Sequence, residues 1–326
     1  MAAVSISTTH GLTQEQWESQ LYKKYQEKTF FGKFKGVGQG SIVQVKRDLI
    51  KKAGDAITFG LSDSIRGTAG VSGNTPLEGH DGSSYVVNNQ AMVFHDQRVT
   101  IDQIRQSIKL AGALDEKRVA FSLRNEAKDK LVDWMSYNED QALFSALSGA
   151  DLIDTSFISG TGLTYDAIVD MKKEAMFPSD DNISAGNKTR KIEPITVDGG
   201  EEVFILGVNP ADAAAFRKST DFKNFNQNAD VRGNKNAIFT GMLGMFNNVI
   251  IHEHSSFTVG QPVLMGANAL FLAYGKEIMY GEKAFDYDNQ TGFMIGSIRG
   301  VALAKFLDES NASQGSHGAI KFNIAS

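Results

Sequence analysis

An α+β fold is what this sequence predicts, on three observations: a helical pattern sustained from Asp115 to Leu147, short apolar runs with strand alternation, and 32 glycines against five prolines. The glycines fall mostly between the apolar runs, which marks turns and extended loops rather than a regular alternation of strand and helix. With 326 residues, 41% hydrophobic and 22% charged, the chain has apolar material for one large core or two medium ones.

Taken in order, residues 1–34 are mostly polar. An amphipathic helix is predicted from Thr13 to Lys28, where Trp17, Leu21 and Tyr25 recur every four residues on one stripe. A helix this short needs a neighbour to stay folded, either its own domain or, as an arm, an adjacent subunit. From Ser41 to Leu61 the pattern is that of strands: Val43 and Val45 alternate, then Ile57, Phe59 and Leu61. Between Ser62 and Gln90 lie Gly67, Gly70, Gly73, Gly79 and Gly82 among small polar residues, and strand character resumes near Val99, Ile101, Ile108 and Leu110. A polar excursion of that length is uncommon inside a compact domain. Flanked by strands, it reads as a long hairpin leaving the body.

From Asp115 to Leu147, Val119, Leu123, Ala127, Leu131, Trp134, Asn138, Ala142 and Ala146 recur at helical spacing. One uninterrupted helix of roughly 50 Å is expected, capped by Asp115 and closed near Gly149. Its mixed charges, such as Glu116, Lys117, Arg124 and Asp133, read as a solvated face. A second helix, Thr164 to Phe177, stops at Pro178. The strand Glu202 to Val208 runs into Asn209 and Pro210, a cap and a first-turn proline that start another helix. Val249 to Ile251 reads as a buried strand, and Val263–Tyr274, Phe293–Ile298 and Val301–Phe306 as further strands.

The chemistry available is narrow. The absence of cysteine excludes disulfides, thiolate nucleophiles and cysteine-held metals. Thirty-three basic against 38 acidic residues give a net charge of −5, and no basic block long enough for a phosphate-binding stripe is present. No segment reaches the roughly 20 apolar residues that span a bilayer, and Met1 to Thr13 lacks the order of a secretion signal, so synthesis in the cytoplasm and no membrane partner are expected. His252 and His254 sit two apart with Glu253 between them, on one face if the segment is a strand. Two imidazoles without a third ligand make a structural or surface role the expectation. His10, His80, His95 and His317 are scattered, the Gly67–Gly73 cluster lacks the ending of a phosphate loop, and acidic pairs such as Asp180 with Asp181 fall in loops. No catalytic residue, metal or cofactor is predicted.

What remains is an arm, a long polar hairpin, a long helix and a sheet body, features for touching neighbours. At this point the residues can be compared with a known family. The stretch Val99, Thr100, Ile101, Asp102, Gln103, then Gly112, then Leu123, Arg124, Glu126, Ala127, Leu131, Trp134, Met135, Ala142, Leu147, Ser148 and Gly149 resembles the major capsid family typified by the N-four podophage. Asn209 with Pro210, Gly241, Leu243 and Gly244 before Val249 to Glu253, Gly266 to Gly275, and Asp286 to Phe306 with Gly300 extend the resemblance from about Lys46 to Phe306.

The resemblance implies the Hong Kong 97-like capsid fold. It places an N-terminal arm at 1–45 and a peripheral domain at 46–149, with an extended loop at about 55–98 and a spine helix at 115–147. An axial domain at 150–285 and C-terminal strands at 286–326 returning to the peripheral domain complete the expected layout. The implied function is a self-assembling subunit whose hexamers and pentamers form an icosahedral head around double-stranded DNA, held without sequence-specific contacts. Implied partners are further copies of the chain, a portal and a separate scaffolding protein, with a decoration protein left open, and the implied location is the virion. The scaffold is expected as a separate chain because no long helical extension precedes the arm, and the fold's covalent cross-linking finds no matching residues here. Other classes stay open from the residues alone: a tail component, which repeats would favour, and a hydrolase, which a convergent acid, base and nucleophile would favour. Intersubunit contacts are expected from Trp17, Leu21 and Tyr25 on the arm and from Leu77, Glu78 and Asp81 at the hairpin tip, where an apolar anchor is rimmed by charge.

Overall fold

The computed structural model describes residues 29–38, 40–50, 54–62, 94–119, 122–153, 158, 162–177, 191–197, 200–219, 222, 244–287, 289–307 and 313–324. A 3-10 turn, Phe30–Phe34, leads into β1 (Lys35–Gly36) and β2 (Val43–Lys46). The strands β3 (Ala56–Ser62) and β4 (Phe94–Thr100) pair antiparallel as a two-stranded ribbon, from Ala56 opposite Thr100 to Ser62 opposite Phe94. Its alternation is that of the sequence, with Ile57, Phe59, Leu61 and Val99 buried. The strand β5 (Asp102–Lys109) follows.

The expected helix 115–147 is two helices. A short α1 (Ala113–Arg118) ends where Val119 turns extended, at φ −104° and ψ 147°. The long α2 (Leu123–Leu147) then starts at Ser122, whose side chain accepts a hydrogen bond from the Asn125 amide at 3.4 Å. A serine hydroxyl favours a helix start over a helix interior, and the break falls there. Asp115 is therefore no cap: it lies inside α1 and pairs with Arg118 at 3.2 Å. The 25 residues of α2 span roughly 37 Å rather than 50 Å.

Beyond it come β6 (Asp151–Ile153), α3 (Tyr165–Met176), β7 (Ile195–Val197), β8 (Glu201–Val208) and α4 (Pro210–Lys218). Thr164 caps α3 through the Ala167 amide at 3.1 Å, and Asn209 caps α4 through the Ala211 amide at 2.9 Å, with Pro210 in the first turn. The remaining strands are β9 (Gly244–Phe246), β10 (Val249–Glu253), β11 (Val263–Met265), β12 (Leu270–Phe285), β13 (Gln290–Leu303), β14 (Lys305–Leu307), β15 (Ser313–Ser316) and β16 (Ala319–Phe322).

Two sheets organise the body. A five-stranded sheet runs β1-β2-β12-β13-β5, and a seven-stranded sheet runs β6-β16-β11-β8-β10-β9 with β7 beside β8. This corrects the expected layout in two places. The strand β12, expected in the 150–285 body, is in the five-stranded sheet, since a tight turn at Asp286–Asn289 pairs it with β13 along its length. The strand β16, expected to return to the first sheet, lies in the second, between β6 and β11. Alternation names the face a residue occupies and not the strand beside it.

The helix α2 bridges both sheets. Its first half packs Ala127, Leu131, Val132 and Met135 on Ile278, Tyr280, Phe293 and Ile295 of the hairpin. Its last turns place Leu143, Phe144 and Leu147 with Phe31, Val43, Val263 and Met265. On the far face of the seven-stranded sheet, Ile168 and Met171 of α3 and Phe216 of α4 cover Phe204, Leu206 and Val208. Both faces of β8 are thus buried, and each such side chain contributes about 1.5–3 kcal/mol.

Candidate assembly surface

Residues 1–28 and 63–93 lie outside the described residues, and the residues that flank them are held to the body by specific contacts. After the first of these segments, Asp140 of α2 accepts the Phe30 amide at 2.7 Å and the Phe31 amide at 3.4 Å. The 3-10 turn is capped by a carboxylate from a distant helix. The Phe30 ring sits 5.6 Å from Phe144, 5.0 Å from His254 and 6.3 Å from Phe257, and Phe34 lies 5.4 Å edge-on to His252.

One residue before Asp140 stands a buried ion cluster. Glu139 is wholly buried and accepts from Lys35 of β1, from the Tyr274 hydroxyl of β12 at 2.8 Å and from Arg299 of β13 at 3.1 Å. Arg299 also donates to Asn138 at 2.7 Å and Ser297 at 3.3 Å. Burial pushes the Glu139 carboxyl up to about 7, against the pull of Arg299 and the Tyr274 hydroxyl, and brings Lys35 down to about 8. The cluster ties α2, β1, β12 and β13 at one point. Sequence reading missed it, although a signal was there: Glu139 interrupts the apolar stripe Leu131, Met135, Leu143 at spacing four.

On either side of the second, the ribbon β3–β4 is clamped to the body. The ring of Phe59 stacks on Phe271 at 4.3 Å. Gln97 donates to the Leu303 carbonyl at 2.9 Å and accepts from the Lys305 amide at 3.0 Å, and a His95 ring nitrogen lies 2.7 Å from the Leu307 carbonyl. Backbone meets backbone at Gly300, where a Cβ would fall 2.1 Å from the Thr100 oxygen.

The predicted contact residues Trp17, Leu21, Tyr25, Leu77, Glu78 and Asp81 lie outside the described residues, as do His10 and His80. His252 and His254 sit beside the 3-10 turn Phe30–Phe34, with His254 stacked on Phe144 at 4.6 Å and its Nδ1 accepting the Ser256 amide at 3.2 Å. Burial holds both imidazoles below their ordinary range. Among the described residues no group of three or more His, Asp or Glu side chains has the geometry to hold a metal ion, and no helix is long and apolar enough to cross a membrane.

Comparison with known proteins gives a consistent set of matches. The profile of a family described as phage capsid protein matches residues 5–187 and 163–262. The chain is 25% identical to the major capsid protein of Pseudomonas phage KPP25, over 90% of this chain and 91% of that one. Its fold is similar to the capsid of Ralstonia phage GP4, with a TM-score of 0.70, 22% identity and 92% of each chain covered. The capsid of cyanophage Pam1 matches with a TM-score of 0.68 and 20% identity, over 91% of this chain and 92% of that one.

Proposed function

Because this chain belongs to the phage capsid protein family, we propose that its copies assemble as hexamers and pentamers into an icosahedral head enclosing double-stranded DNA. A structural, non-enzymatic role as a tailed-phage major capsid protein follows from that membership, from the full-length relative and from the Hong Kong 97-like fold. Such subunits self-assemble into the shell and reside in the virion. The tail-component and hydrolase alternatives are set aside on the same grounds.

The observation that carries the finer reading is the pair of clamped flanks. The β-ribbon and the turn at Phe30–Phe34 are each fixed by buried contacts, the bases that an extended loop and an arm reaching neighbours need. In this reading α2 is the spine of a peripheral domain built on the five-stranded sheet, and residues 55–98 lie over the adjacent subunit. The seven-stranded sheet with α3 and α4 is the axial domain around each capsomer axis. Trp17, Leu21 and Tyr25, and Leu77, Glu78 and Asp81, are the contacts these extensions carry. A portal and a separate scaffolding protein are the further partners in this reading, and synthesis is in the host cytoplasm. DNA is enclosed and not read: with a net charge of −5 the wall confines the duplex with only weak contacts to its phosphates.

Negative-stain electron microscopy with light scattering, on the chain alone and co-expressed with its neighbouring phage genes, tests the reading. Rings of five and six subunits or closed shells are expected. A compact monomer or dimer in both preparations refutes it. Deleting 72–83 is expected to block assembly while the subunit stays folded; normal shells from that deletion would remove the loop from the account.

A further inference from the structure

At the end of the β12–β13 hairpin the face turned away from α2 holds a cleft of about 330 Å³. Register explains it. Lys283 of β12 and Lys109 of β5 both lie opposite Gly292 of β13, so two lysines flank a position that has no side chain. The Phe285 ring lies across that gap, 3.0 Å from where a Gly292 Cβ would stand. Gly281, opposite Met294, extends the apolar floor. The Lys109 ammonium is 4.9 Å from the Phe285 ring centre and that of Lys283 is 5.3 Å away. Among the described residues no carboxylate pairs with either lysine, while the nearby Glu282 is engaged by Arg124 at 3.1 Å. Two like charges over one ring, on an apolar floor, form a site with the chemistry to receive an anion.

The same hairpin carries a ligand of matching chemistry. Its turn presents Asp286 and Tyr287, both at φ near +50°, a left-handed conformation that holds Tyr287 clear of the body. Tyr287 is fully exposed at 104%, the most exposed large apolar side chain described. Tyrosine is the residue type that recurs as an interface anchor, with a ring to bury and a hydroxyl for the rim.

We propose that Tyr287 of one subunit inserts into the Lys109–Lys283–Phe285 cleft of a second copy, with Asp286 meeting the two lysines. Every copy carries both cleft and turn, so the contact is repeated from copy to copy, and it closes into a ring where the rotation between copies is a closed one. Opposite charge chooses the partner: a lysine-rimmed cleft rejects another basic surface and accepts an acidic turn. This rests on the capsid reading above and names a contact within it.

The chain has no cysteine, so the test is an engineered disulfide. Met294 stands opposite Gly281, four residues back from Phe285, so within one subunit residue 287 lies roughly 13 Å or more along the strand from Met294. A disulfide needs Cα atoms within about 7 Å, so one formed by Tyr287→Cys with Met294→Cys must join two subunits. The double variant is assembled under conditions in which the unsubstituted chain forms particles, oxidised and run on a non-reducing gel. Covalent dimers or higher rungs are expected, with each single variant remaining monomeric. Monomers only, from particles that assemble normally, overturn the contact and leave the capsid reading standing. Failure of the unsubstituted chain to assemble would instead sink the capsid reading. If the double variant itself does not assemble, Asp286→Cys with Lys109→Cys is the second pair, and absence of rungs there also overturns the proposal.

Discussion

Replacing Arg299 by methionine removes one cation from the cluster that joins α2 to both long strands of the hairpin. The side chains of Arg299 and Glu139 are 1% and 0% exposed and 3.1 Å apart, so solvent screens their attraction little. At an effective dielectric near 20 a pair at that distance attracts by about 5 kcal/mol, part of which offsets the desolvation of both ions. Removing one member of a buried pair costs about 3–5 kcal/mol, and with Lys35 still bound to Glu139 the lower end applies, about 3 kcal/mol. Methionine is chosen because it keeps most of the volume beside Met135, whose sulfur is 3.9 Å from the Arg299 Nη1. In equilibrium urea unfolding at pH 7.5, followed by tryptophan fluorescence, an m-value of about 3 kcal/mol/M turns this into a midpoint roughly 1 M lower. The double variant Arg299→Met with Glu139→Leu is expected to regain part of the loss, because the buried carboxylate is gone while Lys35, at 10% exposure, loses its partner. A midpoint within about 0.3 M of the unsubstituted chain, or a double variant weaker than the single one, would refute the reasoning.

Three further outcomes follow from the same contacts. Gly300→Ala drives a Cβ against the Thr100 backbone at 2.1 Å and is expected to cost about 1–3 kcal/mol in urea unfolding, together with a lower yield of shells as the ribbon root shifts. Ser122→Ala removes the cap of α2 and is expected to cost about 1 kcal/mol, or roughly 2–4 °C in Tm by circular dichroism. Glu139, raised from 4.5 to about 7, contributes stability that is fully present below the unfolded value and is lost as pH rises through about 7, so Glu139→Gln is expected to flatten the fall in Tm between pH 5 and 7; an unchanged profile contradicts the assignment.

Much of the fold is legible in local signals. Asn209 with Pro210 and Thr164 start helices because capping is a matter of three or four consecutive residues, and Ile57, Phe59 and Leu61 face the core because strand alternation needs no partner to be read. The break before Ser122 is less visible, since Val119 and Leu123 keep helical spacing in the sequence while Val119 and Ser122 are both extended. The sheet assignment of β12 and β16 and the meeting of Glu139 with Arg299 depend on pairing between distant segments, which a sequence pattern does not specify. The capsid reading itself came from a resemblance spread over many short stretches, and the family match supports it. The individual contact residues on the arm and at the hairpin tip lie outside the described residues.

The place of β16 has a consequence for how a subunit is made. Its two neighbours, β6 and β11, have no direct pairing with each other, and the gap between them is filled only by residues 319–322. Asp151 must wait for Ile320, and at ordinary ribosomal rates that separation takes roughly 8–34 s to synthesise. A nascent chain therefore already carries its ribbon, long helix and hairpin while its second sheet still has a missing strand. Long-range closure of this kind makes folding slow. Until residues 319–322 arrive, the facing edges of β6 and β11 stand unpaired, and open strand edges of this kind invite pairing with other chains.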